Sequence, residues 1–330
     1  MQQYRLEMQR SILMKIEVIR NFSSPRNDNN VCQFGCWISK YGVEIPIFKI
    51  TSFYLLTQFV GYAKYANRKN GDVFFRGQSS LYEDAVICKR EERYPGYQCS
   101  LTPSLFRKNR VVGKVFSKLA TKIANMEKEN KHLNGMCNEK LYPLLQHYGI
   151  KTQWIDVVDN LWVALWFATH NFKSIYLKST QYIQTIEKKD GYAFLFLILS
   201  DTNRCSEDNN EPGIYKGEYT TLVDLRKALP SFYLRPHAQH AYMIKKNDFT
   251  KIDDYSDLLT AIIAIPIEDA FSWIGKSGLL SVQSLFPSPY NDCGYQDLLR
   301  YVRLVKNPTK MDIDYYGTIN LIGSDYLINC

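Results

Sequence analysis

The sequence predicts an α+β fold: one mixed domain with a central, largely antiparallel sheet flanked by helices. Short apolar runs bounded by Gly or polar residues predict strands, and the clearest covers residues 192–199 between Gly191 and Ser200. Segments with helical spacing of apolar residues, such as 111–134 and 139–148, alternate with these strands. No repeat, low-complexity stretch or Pro- or Ser-rich linker divides the chain, so we expect a single main domain.

Along the chain, residues 1–50 are predicted to form an N-terminal extension, residues 51–310 the main domain, and residues 311–330 a strand and tail. In the extension, 1–21 has helical spacing or continues into a strand near 15–20, and a hairpin turns at Tyr41-Gly42. The main domain starts with a helix from Thr51-Ser52 to Tyr65. The remaining predicted elements are a first strand at 74–76, helices at 111–134, 139–148 and 160–171, strands at 152–155, 192–199, 241–245 and 262–265, and a helical turn at 256–259. The polar segment 201–212 is predicted to be a mobile loop.

The composition indicates a folded globular protein and leaves its partners open. Of the 330 residues, 45% are hydrophobic and 14% aromatic, which argues against disorder. The net charge of +8 suits nucleic acid, nucleotide phosphates or an acidic partner, but it is equally explained by solubility, because no run of five basic residues occurs. The start of the chain lacks the apolar core of a signal peptide, and no apolar run is long enough for a membrane span, so we expect a cytoplasmic protein without membrane contact. Only Cys32 and Cys36 are close among eight Cys, which predicts free thiols and no metal.

The most informative segment is Phe74-Phe75-Arg76-Gly77-Gln78-Ser79. Residues 73–75 are typical of a buried strand, and we expect Gly77 to end it and to allow a turn or a close approach to a ligand. Arg76 is then held at a strand end, where its guanidinium suits a phosphate or carboxylate ligand. An ion pair with a buried carboxylate is the alternative.

A second informative segment runs from Tyr142 to Asp156. His147 is predicted to lie at a helix end that Gly149 terminates, where the helix dipole favours its cationic form; a capping or packing role is the alternative. Strand alternation places Thr152, Trp154 and Asp156 on one face, which predicts a polar pocket wall with an aromatic floor. Alternatively, Asp156 caps the helix that follows.

A third segment starts at Arg235. Because Pro236 follows it, Arg235 is expected in extended backbone, where it clamps a pyrophosphate together with Arg76 or forms a surface ion pair. His237 and His240 lack the further ligand that a metal site needs.

Four motifs together resemble the FRG domain, which is named for its Phe-Arg-Gly motif. They are Phe75-Arg76-Gly77, residues 101–107, residues 142–156 with 161–168, and residues 235–244, and the resemblance runs from about Ile50 to about Val305. Proteins of this family are familiar from bacterial phage-defence neighbourhoods. The resemblance therefore implies a toxin or defence effector, with a cognate antitoxin or sensor protein as a partner.

The motif order is also similar to that of ADP-ribosyltransferases of the Arg-Ser-Glu type. Such a resemblance implies an ADP-ribosyltransferase-like fold with NAD as substrate. Ala241 stands where the catalytic Glu belongs, which leaves Gln239 or His240 to orient a nucleophile and Asp156 to supply the carboxylate. The residues that the resemblance implies for NAD binding are Phe75, Arg76, Gly77, Gln78, His147, Tyr148, Thr152, Trp154 and Arg235.

Three functional hypotheses follow. The first is an enzyme that transfers ADP-ribose from NAD to nucleic acid or protein, or hydrolyses NAD. The second is a non-catalytic sensor of nucleotides or nucleic acid, in which Phe75, Tyr148 and Trp154 stack on bases. The third is a structural network that only fixes the fold. Enzyme and sensor require Arg76 and Arg235 to meet at an open cleft, whereas a structural network requires both to be buried and paired.

Overall fold

The computed structural model of the protein describes most of the chain. The described residues are 16–22, 30–39, 41–82, 85–87, 96–107, 112–177, 180–204, 211–247, 253–275, 278–304, 313 and 316–322. Most of the predicted N-terminal helix, part of the predicted mobile loop and most of the predicted tail lie outside these residues.

The described residues form fourteen strands and nine α-helices. The strands are β1 (Val31–Ser39), β2 (Glu44–Ile50), β3 (Asp72–Gln78), β4 (Ala85–Ile87), β5 (Gly96–Cys99), β6 (Ile155–Val158), β7 (His170–Leu177), β8 (Thr180–Glu187), β9 (Tyr192–Ser200), β10 (Ile214–Lys216), β11 (Thr220–Asp224), β12 (Ala241–Lys246), β13 (Leu259–Pro266) and β14 (Leu321–Ile322). The helices are α1 (Phe53–Asn67), α2 (Val112–Glu129), α3 (Asn138–His147), α4 (Leu161–Thr169), α5 (Leu225–Ala228), α6 (Leu234–Ala238), α7 (Ile267–Ile274), α8 (Val282–Leu285) and α9 (Cys293–Leu304). Short 3-10 turns lie at Asp201–Arg204, Ser256–Leu258 and Gly278–Leu280.

Eleven strands form one mixed sheet in the order β10-β11-β12-β6-β3-β9-β13-β2-β1-β5-β4. Within this sheet, as far as the structure describes it, only the pairs β13–β2 and β1–β5 are parallel, so the predicted α+β class with a largely antiparallel sheet is confirmed. The predicted N-terminal hairpin is present as β1 and β2, and it belongs to this main sheet through β13. A smaller sheet has the order β14-β8-β7.

Side chains of the main sheet alternate between two faces, and each face has its own core. Helices α1, α4 and α7 cover one face, where they contact the odd-numbered residues of β3, β9 and β13. The even-numbered residues of these strands contact Trp37 and Tyr255 on the other face. A further core forms around α2, α3 and α9 and includes Met243 of β12. The sheet is therefore buried on both faces along its central strands, as the uninterrupted apolar run of β9 predicts.

Gly77 has a different role from the one predicted. Strand β3 does not end there but continues to Gln78, in register with β9. A Cβ on Gly77 would overlap the carbonyl oxygen of Ala164 and would lie only 2.8 Å from the backbone nitrogen of Ala168. Gly77 therefore lets the backbone of α4 lie directly on β3.

Asn160 caps the N-terminus of α4. Its side-chain oxygen accepts hydrogen bonds from the backbone nitrogens of Trp162 (2.9 Å) and Val163 (3.2 Å). Asp156 is therefore not the cap, and its carboxylate is available for other contacts. Among the helices that the structure describes, none combines the length and the apolar character that crossing a membrane requires.

Candidate functional site

A cleft of about 310 Å³ opens where β3, β6 and β12 meet helices α3 and α4. We call it the first cleft. Its polar lining includes Arg76, Gln78, Arg107, Gln146, His147, Asp156, His170, Gln239 and Asn320. The volume lies at the lower end of the range for small-molecule sites.

Sheet topology brings the three predicted motifs together. Strands β12, β6 and β3 are neighbours, and Val158 of β6 pairs with Ala241 on one side and with Phe75 on the other. Residues far apart in the sequence thus lie side by side. Asp156, two residues before Val158, is opposite Met243 of β12.

The carboxylate of Asp156 is the centre of the polar contacts in the first cleft. His147 Nδ1 lies 3.6 Å from Oδ1, and Arg76 lies 3.9 Å from Oδ2. The Nε2 of Gln146 donates a hydrogen bond to Oδ2 at 3.0 Å. Burial raises the pKa of Asp156, but His147, Arg76 and Gln146 lower it by more, so that the pKa lies below its usual value. The side chain is nevertheless 45% exposed, which leaves an ionised carboxylate facing the opening.

Arg76 combines both roles that the sequence predicts. It lines the first cleft, yet it also donates a 2.7 Å hydrogen bond to the backbone oxygen of Asp156 and faces that residue's carboxylate. Burial lowers the pKa of the Arg76 guanidinium, although the charge of Asp156 opposes this effect. The Nε atom of Arg76 and the Nε2 atom of His147 are buried and have no hydrogen-bond partner among the described residues. Buried polar atoms are nearly always hydrogen-bonded, so these two indicate space for a ligand or water.

Gln146 is a site residue that the sequence analysis did not single out. Its Oε1 accepts a hydrogen bond from Thr152, and its Nε2 donates to the backbone oxygen of Trp154 at 2.8 Å as well as to Asp156. Thr152 is completely buried and acts on the site through Gln146. The signal in the sequence that could have identified Gln146 is its position directly before His147, at the end of α3.

The predicted aromatic floor is wrong. Strand β6 begins at Ile155, so Thr152 and Trp154 precede it and do not share a strand face with Asp156. Trp154 is buried in the core around α3, with the ammonium group of Lys245 5.1 Å from its ring centre. The aromatic walls of the first cleft are instead Phe75, Tyr82, Phe167, Phe172 and Phe286.

Arg235 is also placed differently from the prediction. It lies in α6, because Pro236 occupies the first turn, where no backbone N–H is needed. Only 1% of Arg235 is exposed, and its guanidinium lies 4.4 Å from the ring centre of Tyr148 and 4.5 Å from that of Tyr295. Its NH1 donates to the backbone oxygen of His147 at 3.1 Å. Arg235 therefore holds the C-terminal end of α3 and forms no clamp with Arg76. The expectation that both arginines meet at an open cleft is wrong, and of the two only Arg76 lines the first cleft.

Tyr148 belongs to the same buried arrangement. Its ring is completely buried, and its hydroxyl donates a 2.6 Å hydrogen bond to Asp292. Tyr148 supports the neighbouring His147 from the buried side and does not line the first cleft.

The predicted catalytic residues separate into two groups. Asp156 and Gln239 line the first cleft, and Gln239 is anchored through its Nε2 to the backbone oxygen of Leu285 at 2.8 Å. His240 has a left-handed backbone conformation, with φ of 51°, and its side chain lines a second cavity. Ala241 lines the first cleft, where the resemblance places a catalytic Glu.

The cofactor residues predicted on β3 lie at the first cleft. Phe75, Arg76, Gly77 and Gln78 all belong to its lining, and so does His147 of α3. Within the described part of the chain, no group of three or more His, Cys, Asp or Glu side chains is arranged to hold a metal ion.

Comparison with known families supports the resemblance to the FRG domain and gives no support to the resemblance to ADP-ribosyltransferases. Residues 71–175 match the family described as FRG domain, a match that covers less than half of the chain and includes β3, α3, β6 and α4. The chain has no match among curated proteins or among solved structures.

Proposed function

We propose that the first cleft binds NAD and that the protein is an ADP-ribosyltransferase-like enzyme, which transfers ADP-ribose to a macromolecule or hydrolyses NAD. The observation that supports this most directly is the convergence of Arg76, His147 and Asp156, from β3, α3 and β6, on one open cleft.

The cleft offers complementary groups for the reactive half of NAD. Arg76 supplies a fixed cation for the pyrophosphate, and Arg107 is a second cation in the same lining. Phe167, Phe172 and Phe286 supply apolar faces for a nicotinamide ring. Because the volume is only about 310 Å³, we expect the nicotinamide riboside half to enter and the adenosine half to extend outside.

The reaction breaks the bond between the ribose C1′ and the nicotinamide nitrogen, and the bonding electron pair leaves with neutral nicotinamide. Positive charge then develops on the ribose, and the ionised carboxylate of Asp156 stabilises it. A hydroxyl group of the acceptor, or water, forms the new bond to C1′ and releases its proton to the solvent at the opening of the cleft. Gln239 lies in the same lining and orients this group. Asp156 thereby supplies the carboxylate that Ala241 lacks, from the neighbouring strand.

The test is nicotinamide release from NAD by the purified full chain, with total cellular RNA, DNA and protein as acceptors. Three variants accompany the wild type. Arg76→Ala is expected to raise the NAD concentration needed for half-maximal rate by at least tenfold. Asp156→Asn is expected to keep NAD binding and to lower the rate by about 10²–10³-fold. Arg68→Ala, which removes one positive charge at the exposed end of α1, is the matched control and is expected to leave the rate unchanged.

The absence of a carboxylate at Ala241 favours a second candidate, a sensor that binds NAD or another nucleotide without turnover. Calorimetric binding of NAD that Arg76→Ala abolishes, together with no nicotinamide release from any acceptor, would establish the sensor. Folded protein that neither binds nor cleaves NAD would refute both candidates. If turnover is found, the enzyme would act on the cell's own NAD or macromolecules, so its activity must be inhibited until it is needed. A cognate antitoxin or sensor protein as partner fits this requirement.

A further inference from the structure

A second cavity of about 700 Å³ lies on the other side of the segment that joins α6 to β12. We call it the second cleft. Gln239 and Ala241 line the first cleft, whereas His240 between them lines the second. His240 has a left-handed φ of 51°, and its side chain lies on the opposite side of this segment from those of its two neighbours.

One wall of the second cleft is aromatic. The rings of Phe53 and Trp162 are stacked, with centres 5.1 Å apart and an angle of 5° between their planes. Trp273 lies edge-on to Phe53, with ring centres 6.4 Å apart. Phe53 is 38% exposed and both Trp side chains are only partly buried. Large rings that remain accessible and parallel in a cavity form a stacking surface for another planar group.

The lining also carries hydrogen-bonding groups. His237 and His240 belong to it, and the position of His240 is fixed by Arg226 and Asp159. Nδ1 of His240 lies 3.2 Å from NH1 of Arg226 and 3.3 Å from Oδ1 of Asp159. Arg226 is itself held by Asp224 (2.9 Å) and Asp159 (2.9 Å). The second cleft thus combines stacked rings with an imidazole whose position is fixed by two neighbours.

We propose that the second cleft binds a nucleobase, carried by a free nucleotide or by a single-stranded nucleic acid. A nucleobase has a planar face for the aromatic wall of Phe53 and Trp162 and a hydrogen-bonding edge for His240. The volume lies within the range of sites that hold whole small ligands, and the chain's net charge of +8 favours an anionic one. This site is separate from the first cleft and does not depend on NAD chemistry there.

The experiment measures the binding of nucleotides to the full-length Arg76→Ala variant, in which the first cleft is impaired. AMP, GMP, CMP and UMP are titrated by calorimetry, and a fluorescein-labelled dodecamer of mixed sequence by anisotropy. Quenching of tryptophan fluorescence gives an independent signal, because Trp162 and Trp273 line the cleft. Phe53→Leu in the same background removes the stacking ring but keeps an apolar helix-forming side chain at the start of α1. Tyr54→Ala is the matched control: Tyr54 is adjacent, more exposed and outside the cleft lining.

We expect Phe53→Leu to weaken binding by about tenfold, since stacking on one aromatic ring contributes that order of affinity. Tyr54→Ala should leave the affinity within about twofold. Affinity for mononucleotides equal to that for the dodecamer would identify a free nucleotide as ligand, whereas binding of the dodecamer alone would identify a single strand. The proposal is overturned if neither ligand binds, or if binding is equally strong in Phe53→Leu protein that melts at the wild-type temperature.

Discussion

The glycine of the Phe-Arg-Gly motif offers the most direct test of the fold, because its substitution by alanine meets backbone atoms. In Gly77→Ala the new Cβ would lie 2.8 Å from the carbonyl carbon of Ala164 and from the nitrogen of Ala168, and closer still to the carbonyl oxygen of Ala164. Real Cβ atoms essentially never come within 3.0 Å of such neighbours, so β3 and α4 must separate. Six of the nine residues of α4 are buried, so this movement disturbs contacts on its other sides too.

Overpacking of a core typically costs about 1–3 kcal/mol, and a clash with the backbone of two residues of α4 places Gly77→Ala at or above the upper end, about 3 kcal/mol of unfolding free energy. Urea denaturation followed by circular dichroism measures the change. Gly61→Ala is the matched control, because Gly61 lies within α1 and a Cβ there meets nothing within 4 Å. It should stabilise the protein by up to about 1 kcal/mol through helix propensity. An unfolding free energy of Gly77→Ala within about 0.5 kcal/mol of wild type would refute the close contact between β3 and α4.

Two further predictions concern charged groups. Arg226→Met should lower the unfolding free energy by about 3 kcal/mol, because it leaves the buried carboxylate of Asp224 without its ion pair. The control Lys227→Met, at an exposed neighbouring position, should change the unfolding free energy by less than about 0.5 kcal/mol. Urea denaturation compares the two variants. For Asp156 the lowered pKa means that its ionised contacts stabilise the protein above the ordinary carboxyl pKa of about 3.9 and lose this effect as the pH falls through the lowered value. Thermal melts from pH 6 down to pH 2 should therefore show wild type above Asp156→Asn at pH 6 and the gap closing towards pH 2, whereas a gap that stays constant with pH would contradict the assignment.

Local sequence signals predicted the parts of the site that depend on one element. The apolar run before Arg76 placed it on a strand, and Gly149, with its φ of 120°, marked the end of the helix that carries His147. The order of the motifs then predicted that Arg76, His147 and Asp156 belong to one site. Those predictions required only strand periodicity, a helix-ending glycine and a resemblance in order.

Contacts between distant segments were beyond such signals. Arg235 was expected in extended backbone because of Pro236, but proline in the first turn of a helix loses no hydrogen bond. Its burial is decided by Tyr148 and Tyr295, which come from other parts of the chain. Trp154 was assigned to a strand face because the predicted strand started three residues too early.

The second cleft was likewise not predictable from the sequence. Its aromatic wall joins the first residue of α1 to residues of α4 and α7, and of these three segments only α4 belongs to a motif that the sequence analysis identified. His240 was noticed because it follows Gln239, and alternation along an extended chain places adjacent side chains on opposite sides. No signal in the sequence, however, indicated a cavity on each side of this segment.

The segment that matches the FRG domain is not the unit that folds. Residues 71–175 contain β3 and β6, yet β3 pairs along its whole length with β9, and β6 pairs with β12, both of which lie further along the chain. An excised fragment with these boundaries would expose both strands as unpaired edges and would aggregate instead of folding. Any domain exchange or minimal expression fragment must therefore include the strands of the sheet as far as β13. The recognisable motif is thus much shorter than the piece of protein that has to be transferred with it.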